Sequence, residues 1–340
     1  MVRPTLEIVA ARAAVSRQTV SNVLNAPHLV RPDTRSRVEA VIAELGYRPN
    51  RAARTLKTRR SQLLGARIET PVDGINGVVL DRFLHALTSQ AQAQGYRVML
   101  FSATQDEDEI GQYAQLLEDH DLDAFVLTGT HVGDARTAWL AERDVPFVTF
   151  GRPWGEREAH HSWVDVDGSA GTRAATEHLL GLGHRRIAFL GWPDDAAVGD
   201  DRRAGWQQAC AAAGLSTDGL DLGMPDGLDE GRIATSILLE GAHPPTALVC
   251  VSDSIALGAW TELTGRGLRP GQDLAIVGFD DSPTAEVIGL SSAAQPLDQV
   301  ATACLSLLHT VLNATEPAAG PPGPVLLEPR LMVRASSTRD

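Results

Sequence analysis

The chain has 340 residues, 43% of them hydrophobic, a length and composition typical of a soluble protein with two or three folded units. Residues 1–60 carry 12 basic and 4 acidic side chains, a charge of +8, whereas the remaining residues carry 18 basic and 39 acidic side chains, a charge of −21. A basic head on an acidic body is typical of a protein that binds nucleic acid through one end only, which the overall charge of −13 conceals.

Cysteine usage and hydropathy exclude several other classes. The three cysteines, Cys210, Cys250 and Cys304, lie far apart without the spacing of metal ligands, so we expect small buried hydrophobic residues in a reducing cytosol. The first residues lack the apolar core of a signal peptide, and no run of about eighteen apolar residues occurs. We therefore expect a cytoplasmic protein with no metal, no cofactor and no contact with a membrane.

The first predicted elements are three short helices and a basic fourth within residues 5–60. Leu6 and Val9 share the apolar face of one helix, and Val20 and Leu24 share that of a second, with a tight turn between them. Ser16 is placed to cap the second helix, so the polar residues that follow it face outward, as in a recognition helix that reads bases in a major groove. The sequence therefore predicts a helix-turn-helix.

Beyond residue 62, short apolar strands alternate with amphipathic helices almost to the end of the chain. The strands are predicted at 63–68, 97–101, 124–127, 147–150, 163–166, 186–190, 247–251, 275–278 and around 325–331, and the helices at 80–94, 107–118, 168–182, 202–213, 230–240 and 254–267. This alternation predicts two parallel sheets covered by helices on both faces, joined near residues 158–162 and again through a return crossing at 290–299. A ligand would bind at the carboxyl ends of the strands, in a cleft between the two lobes.

Three segments, residues 15–25, 35–45 and 46–54, resemble the lactose-repressor (LacI-type) family of bacterial transcriptional regulators, and the resemblance extends over nearly the whole chain. It implies an α/β protein with an N-terminal all-α helix-turn-helix headpiece and a two-lobed core like periplasmic binding proteins, built from two doubly wound parallel sheets. The implied domains are a headpiece at 1–49, a hinge helix and linker at 50–61, and an effector-binding and dimerisation core at 62–340. The N-lobe is expected at 62–160 plus 291–322 and the C-lobe at 161–290 plus 323–340.

By family position, the base-contacting residues are Arg17, Gln18 and Asn22, and the chemistry agrees because an arginine fork pairs with guanine and a glutamine amide with adenine. The implied phosphate contacts are Ser16, Thr19, Ser21, Asn25, Tyr47 and Asn50, for which a solvated helix face is the alternative. The hinge helix at 51–57 is expected to fold on DNA and insert Leu56 into the minor groove, the alternative being a plain linker. Two departures from the family are Ala14, where the turn usually has Gly, and Arg31, a poor cap before Pro32.

The expected effector cleft combines family positions with strand-end chemistry. Arg202 and Asp280 match ligand-contacting residues of the family, and Ser252 stands where many relatives have Asn. Asp253, beside it, is alternatively a cap of the following helix. An arginine and an aromatic ring that end one strand suit a sugar, although a tryptophan can equally belong to a core. The candidates of this kind, with the weaker ones from the cleft edges, are Arg152, Trp154, Trp163, Asp73, Asn76 and Gln295.

The resemblance implies a homodimeric repressor of carbohydrate-utilisation genes that leaves a palindromic double-stranded operator when a small sugar binds. A purine- or other metabolite-responsive co-repressor is the alternative, but Arg152, Arg202 and Asp280 suit a polyol better than a flat base. A sugar-binding transport protein would need a signal peptide and no helix-turn-helix. An enzyme is not expected, because the chain lacks a glycine-rich phosphate loop, a nucleophile elbow and a histidine cluster. The absence of a leucine-heptad extension after 331–334 favours a dimer, which would be nucleoid-associated when bound to operator.

Overall fold

The computed structural model describes residues 4–47, 60–69, 77–155, 160–194, 196–313 and 323–338. The chain forms two compact units, Met1–Ser61 and Gln62–Asp340. No helix in these ranges is both long enough and apolar enough to cross a lipid bilayer.

The first unit is a small helical bundle of α1 (Leu6–Ala13), α2 (Arg17–Asn25) and α3 (Pro32–Leu45), with a short 3-10 turn at Pro27–Leu29. Its apolar centre is formed by residues spaced three or four apart on each helix, among them Val9, Val20, Val23, Val38 and Val41. Burial of these side chains explains why three helices too short to persist alone form a stable unit.

The ends of these helices carry the two departures that the sequence shows. Ala14 ends α1 in a left-handed conformation, with φ 51° and ψ 49°, a position that favours glycine. Arg31 precedes α3 without any capping hydrogen bond from its side chain, and Pro32 occupies the first turn. Elsewhere the caps are regular, since the Ser16 hydroxyl accepts a hydrogen bond from the Thr19 amide at 3.0 Å.

The second unit contains two six-stranded sheets. The first, in the N-lobe, has the strand order β11-β5-β4-β3-β1-β2 and is parallel throughout. Its strands and the helices around it are β1 (Leu63–Ile68), α4 (Val78–Ala93), β2 (Arg97–Ser102), α5 (Asp106–His120), β3 (Ala124–Leu127), α6 (Ala135–Ala141), β4 (Phe147–Phe150), β5 (Ser162–Val166), α12 (Leu297–Asn313) and β11 (Val325–Leu327).

The second sheet, in the C-lobe, has the order β12-β10-β9-β8-β6-β7 and is parallel except for the antiparallel pair β10–β12. Its elements are α7 (Gly168–Gly181), β6 (Ile187–Gly191), α8 (Ala197–Ala212), β7 (Asp221–Gly223), α9 (Leu228–Glu240), β8 (Ala247–Cys250), α10 (Asp253–Gly265), β9 (Ala275–Phe279), α11 (Pro283–Ile288), β10 (Ser291–Ala294) and β12 (Arg330–Met332), followed by a 3-10 turn at Ala335–Ser337. The central strands β6, β8 and β9 are buried along their length, as expected for a sheet covered on both faces.

The strand pairing corrects the lobe boundaries that the sequence predicts. β5, expected in the C-lobe, pairs with β4 in the N-lobe sheet, and β11 pairs with β5 there as well. Conversely β10, expected in the N-lobe, pairs with β9 in the C-lobe. Residues 161–166 and 323–327 therefore belong to the N-lobe and 291–294 to the C-lobe.

Three crossings join the lobes, the number that the predicted boundaries after residues 160, 290 and 322 imply, but each lies at a different place in the chain. They follow β5, β10 and β11, and the predicted final strand at 325–331 divides into β11 and β12, one in each sheet. Periodicity marks a strand but not the sheet that it joins, which is why the pattern placed these segments in the wrong lobes. The return crossing predicted at 290–299 also contains β10 and the start of α12.

Candidate functional site

The exposed face of α2 carries the residues predicted to read DNA. Arg17 forms an ion pair with Glu7 at 3.0 Å while its side chain remains 69% exposed. The Gln18 amide donates to the Asn22 amide oxygen at 2.9 Å, so these two side chains lie side by side on one face of the helix. Water screens an ion pair between two exposed side chains, so Arg17 can exchange Glu7 for a base edge at small cost.

The predicted phosphate contacts lie around this face. Ser16 is held at the start of α2, where its Oγ lies 2.9 Å from Thr19 Oγ1. The Asn25 amide donates to the Ser21 carbonyl at 2.9 Å one turn further along. Tyr47 differs from the others, because it packs in the bundle and is only 8% exposed. Burial, with a smaller contribution from Glu7, raises the pKa of its hydroxyl. Asn50, Leu56 and the hinge at 51–57 lie outside the described residues.

A cavity of about 290 Å³ lies between the two lobes of the core, at the carboxyl ends of the strands. From the N-lobe its walls include Thr128, which follows β3, and Phe150, Trp154 and Asp165. From the C-lobe they include the side chains that follow β6 and β9 and those of α8, namely Trp192, Asp280, Asp201 and Arg202. The structure thus brings five of the eight predicted effector residues that it describes into this lining, namely Trp154, Arg202, Asp253, Asp280 and Gln295.

Arg202 is the cation of the C-lobe wall and is only 6% exposed. Its Nη1 donates to the Val251 carbonyl at 2.5 Å and lies 3.6 Å from Asp280 Oδ1. The guanidinium is also stacked on Phe279, 3.7 Å from the ring centroid. Its Nε atom is buried and meets no acceptor among the described residues. The fork is therefore fixed in position, and its buried Nε–H is available to a ligand oxygen.

Asp280 lies opposite this fork, and Gln295 supports it. Gln295 lies in the crossing after β10, and its amide donates a hydrogen bond of 2.7 Å to Asp280 Oδ1. Burial raises the pKa of Asp280 to about 7, against the lowering effect of Arg202, with Asp253 raising it further. This carboxyl therefore changes charge near neutral pH. It can accept hydrogen bonds from ligand hydroxyls when ionised.

Ser252 and Asp253 follow β8, and each makes contacts that the sequence did not predict. The N-cap of α10 is Ser252, whose hydroxyl accepts a hydrogen bond from the Ile255 amide and donates one to Asp226. The alternative assignment of Asp253 as the cap is therefore wrong. Asp253 instead accepts hydrogen bonds from the Ser282 amide at 2.6 Å and the Ser292 hydroxyl at 2.7 Å, which link the segments after β8 and β9 to β10. Burial raises its pKa to about 6.

Arg152 links the two lobes at the edge of the cavity. Its Nε donates to Asp165 in the N-lobe at 2.5 Å, and its Nη1 and Nη2 each lie 3.4 Å from a carboxylate oxygen of Asp201 in the C-lobe. The same guanidinium lies over the Trp154 ring, 4.6 Å from its centroid. Burial raises the pKa of Asp201, and Arg152 opposes that shift. Arg152 therefore acts behind the cavity lining and holds Trp154 and Asp201 in place.

Of the two tryptophans predicted to contact the effector, only one lies in the cavity lining. Trp154 lines the cavity, and its buried Nε1 has no acceptor within the part of the chain that is described. Trp163 is half-buried near the start of β5 and does not belong to the cavity lining, which β5 reaches only through Asp165 and Val166 at its carboxyl end. Asp73 and Asn76 lie outside the described residues.

Sequence reasoning missed many residues of the cavity lining, among them Trp192, Asp201 and Asp226. Trp192 directly follows β6, so the rule that ligands bind at the carboxyl ends of strands was sufficient to find it. Asp201 directly precedes Arg202 on a helix that begins five residues earlier than the apolar pattern indicates. Asp226 lies in a loop, where periodicity carries no signal.

One cluster outside the cleft brings metal-ligand atoms together. Single ligand atoms of Asp106, His131 and Asp134 lie within 4.8 Å of one another. Arg136, only 1% exposed, donates to both carboxylate oxygens of Asp134 at 2.8 and 2.6 Å and pairs with Glu109 at 2.8 Å. The guanidinium supplies the positive charge that a cation would bring, so this cluster is an ion-pair network of the N-lobe.

Comparison with known proteins agrees with this architecture. The profile of the bacterial regulatory proteins of the lacI family matches residues 5–50, and that of the periplasmic binding protein-like domain matches residues 176–337. The HTH-type transcriptional regulator CelR of Thermobifida fusca is 35% identical over 347 residues, which cover 98% of each chain.

Two solved structures share nearly the whole fold. A complex of transcriptional regulator CelR with cellobiose has a TM-score of 0.72 and 32% identity, covering 98% of this chain and 100% of that one. The lac repressor dimer bound to operator and the anti-inducer ONPF has a TM-score of 0.82 and 26% identity, covering 99% and 100%. A helix-turn-helix unit joined to a two-lobed ligand-binding core defines a DNA-binding transcriptional regulator. The chain belongs to the lacI family of bacterial regulatory proteins.

Proposed function

We propose that this regulator is a cytoplasmic homodimeric repressor of carbohydrate-utilisation genes, released from a palindromic operator when a sugar binds in the cleft. The observation that carries the proposal is the wall formed by Arg202, Asp280 and Trp154. It combines a fixed guanidinium, a carboxyl held by Gln295 and an indole at the carboxyl ends of the strands. Hydroxyls that both donate and accept suit such a wall, and a sugar ring has an apolar face for the indole.

The DNA-binding half of the proposal depends on α2. Arg17, Gln18 and Asn22 are proposed to contact base edges, and the smaller polar residues around them to contact phosphates. Two copies of α2 in one dimer would enter successive major grooves, which explains why the operator is proposed to be a palindrome. Leu56 is proposed to enter the minor groove at its centre.

The allosteric half depends on the three crossings between lobes. A ligand that contacts Trp154 in one lobe and Arg202 in the other binds best to one lobe orientation, and it can shift the protein only by that difference in affinity. Coupling free energies of this kind are typically about 1–3 kcal/mol, equivalent to a change in operator affinity of roughly 5- to 150-fold.

Operator titration tests the proposal directly. A palindromic DNA is selected from a random pool with the full-length protein and titrated by fluorescence anisotropy, with and without cellobiose, the sugar in the CelR complex, and a panel of other sugars and purines. We expect a sugar to weaken operator binding at least about fivefold. Tighter binding in the presence of a sugar would contradict release, and tighter binding with a purine alone would favour a co-repressor.

A pair of arginine variants separates base reading from general charge. Arg17→Ala is expected to lose about 1–3 kcal/mol of operator affinity, because a bidentate base contact disappears. Arg12→Ala is the matched control, since Arg12 lies on α1 and pairs with Glu44 at 2.8 Å on the surface. Equal losses in the two variants would remove Arg17 from the base-reading set.

A further inference from the structure

The cavity lining is strongly acidic. Within the described residues it contains six carboxyl groups but a single cation, Arg202; the carboxyl groups belong to Glu69, Asp165, Asp201, Asp226, Asp253 and Asp280. Two further arginines reach these acids from behind the lining, Arg152 to Asp165 and Asp201, and Arg67 to Glu69. Among the described residues, six acids of the lining thus face three arginines.

The arginines are also already engaged by protein carboxylates. Arg152 is shared between Asp165 and Asp201, and Arg202 between Asp280 and the Val251 carbonyl. A phosphate or carboxylate entering the cleft would have to compete with these carboxylates for each guanidinium, in a partly desolvated site where like charges repel most strongly. The charge pattern therefore works against an anionic ligand.

The remaining donors suit uncharged oxygen atoms. Three buried N–H groups on the lining have no acceptor in the described parts of the chain: Trp154 Nε1, Trp192 Nε1 and Arg202 Nε. Buried donors of this kind normally find a partner, and a ligand oxygen is the group that the cleft can supply. The two indoles come from opposite lobes, Trp154 after β4 and Trp192 after β6, so their apolar rings and polar edges border the same cavity from both sides.

We propose that the effector is an uncharged carbohydrate without a phosphate or carboxylate group, contacted by Trp154 and Trp192 from the two lobes and selected against anions by the acidic lining. Its hydroxyl hydrogens bond to the carboxylates, and its oxygens accept bonds from the three N–H groups. This inference rests on the proposed function, because it names the chemical class of ligand for the same cleft.

Matched pairs of sugars that differ only in an anionic group test the inference. Isothermal titration of the full-length protein compares cellobiose with cellobiose 6′-phosphate and cellobionate, and likewise trehalose, maltose and glucose with their 6-phosphates. We expect a neutral sugar to bind and its anionic partner to bind at least tenfold more weakly. Anionic partners that bind equally or more tightly would overturn the inference and leave a sugar-released repressor intact.

A variant of the lining gives a second readout. Asp226→Asn removes one negative charge with little change of shape. We expect it to reduce the ratio of the affinities for neutral and phosphorylated sugar at least about threefold. Asp229→Asn is the matched control, because Asp229 is an exposed acid of α9 outside the lining. This variant should keep the wild-type ratio of affinities for neutral and phosphorylated sugar. Equal discrimination in Asp226→Asn and the wild-type protein would contradict the role given to the acidic lining.

The outcomes also separate this inference from the function on which it rests. A neutral sugar that binds without changing operator affinity would overturn the proposed release mechanism and support the ligand class. A panel in which no sugar of either kind binds would overturn both. Trp192→Leu should weaken the neutral sugar at least about tenfold, since it loses both a stacking face and an N–H donor, and unchanged binding would remove Trp192 from the site.

Discussion

Replacing Arg202 by methionine tests whether the buried pair with Asp280 supports the core as well as the ligand. Methionine keeps the apolar stem against Phe279 but removes the charge, the donor to Val251 and the partner of Asp280. Removing one member of a buried ion pair typically costs about 3–5 kcal/mol, because the other charge remains buried without compensation. We therefore expect the free energy of unfolding of the core to fall by about 3–5 kcal/mol at pH 8, where Asp280 is ionised in the wild-type protein.

The double variant Arg202→Met/Asp280→Asn separates the ion pair from the other contacts of Arg202. Both charges then disappear together, and the remaining cost is the Val251 carbonyl that loses its donor, about 1–3 kcal/mol. The double variant should consequently be more stable than Arg202→Met alone. A double-mutant cycle completed with Asp280→Asn should give a coupling free energy of about 2 kcal/mol. At pH 6, below the pKa of about 7 for Asp280, the coupling should shrink because the carboxyl is largely protonated.

Urea unfolding followed by tryptophan fluorescence measures these differences in the full chain. All six tryptophans lie beyond residue 62, so the signal reports the core and not the headpiece. Arg232→Met is the matched control, since Arg232 is half-exposed on α9 and should change the stability by no more than about 0.5 kcal/mol. Additive effects of the two single substitutions at pH 8 would refute the argument that Arg202 and Asp280 stabilise each other.

Two further predictions concern backbone strain and pH. Ala14→Gly should stabilise the headpiece by about 1 kcal/mol, because glycine adopts φ 51° without strain, and amide hydrogen exchange in α1 and α2 should slow. Ala11→Gly, at an exposed position inside α1, should have the opposite effect. Faster exchange in both variants would contradict the strain argument. Asp280 has a pKa of about 7 in the folded chain against an ordinary value of 3.8, so its contribution to stability is full below about pH 4 and is lost as the pH rises through 7. Between pH 4 and 7, the free energy of unfolding measured in urea should therefore decline less steeply with pH in Asp280→Asn than in the wild-type protein. The smaller decline that remains comes from Asp253. An equal slope in the two proteins would refute the raised pKa of Asp280.

The sequence predicted most of the elements that position the sites, but not their pairing. The strands at 124–127 and 147–150 occur with the predicted bounds, because buried parallel strands are continuous apolar runs. Which sheet a strand joins depends on long-range hydrogen bonds, which local periodicity does not encode, and β5 and β10 were consequently placed in the wrong lobes. The same limit applied to the cleft, where Arg202 and Asp280 followed from local motifs but Asp226, which lies in a loop, was brought to the lining only by the fold.

The loop after β9 connects ligand chemistry with lobe orientation. Asp280 and Asp281 both have positive φ, 105° and 51°, conformations that non-glycine residues adopt only when their surroundings hold them there. Several contacts hold this loop: Gln295 bonds Asp280, Arg334 pairs with Asp281 at 2.7 Å, and Arg82 of the N-lobe donates to the Asp281 carbonyl at 3.0 Å. A ligand that forms a hydrogen bond to Asp280 therefore contacts the same short loop whose Asp281 carbonyl accepts a hydrogen bond from Arg82 of the N-lobe. The strand end that carries Asp280 into the cleft is therefore also a place where the N-lobe contacts the C-lobe directly, through Arg82 and the Asp281 carbonyl.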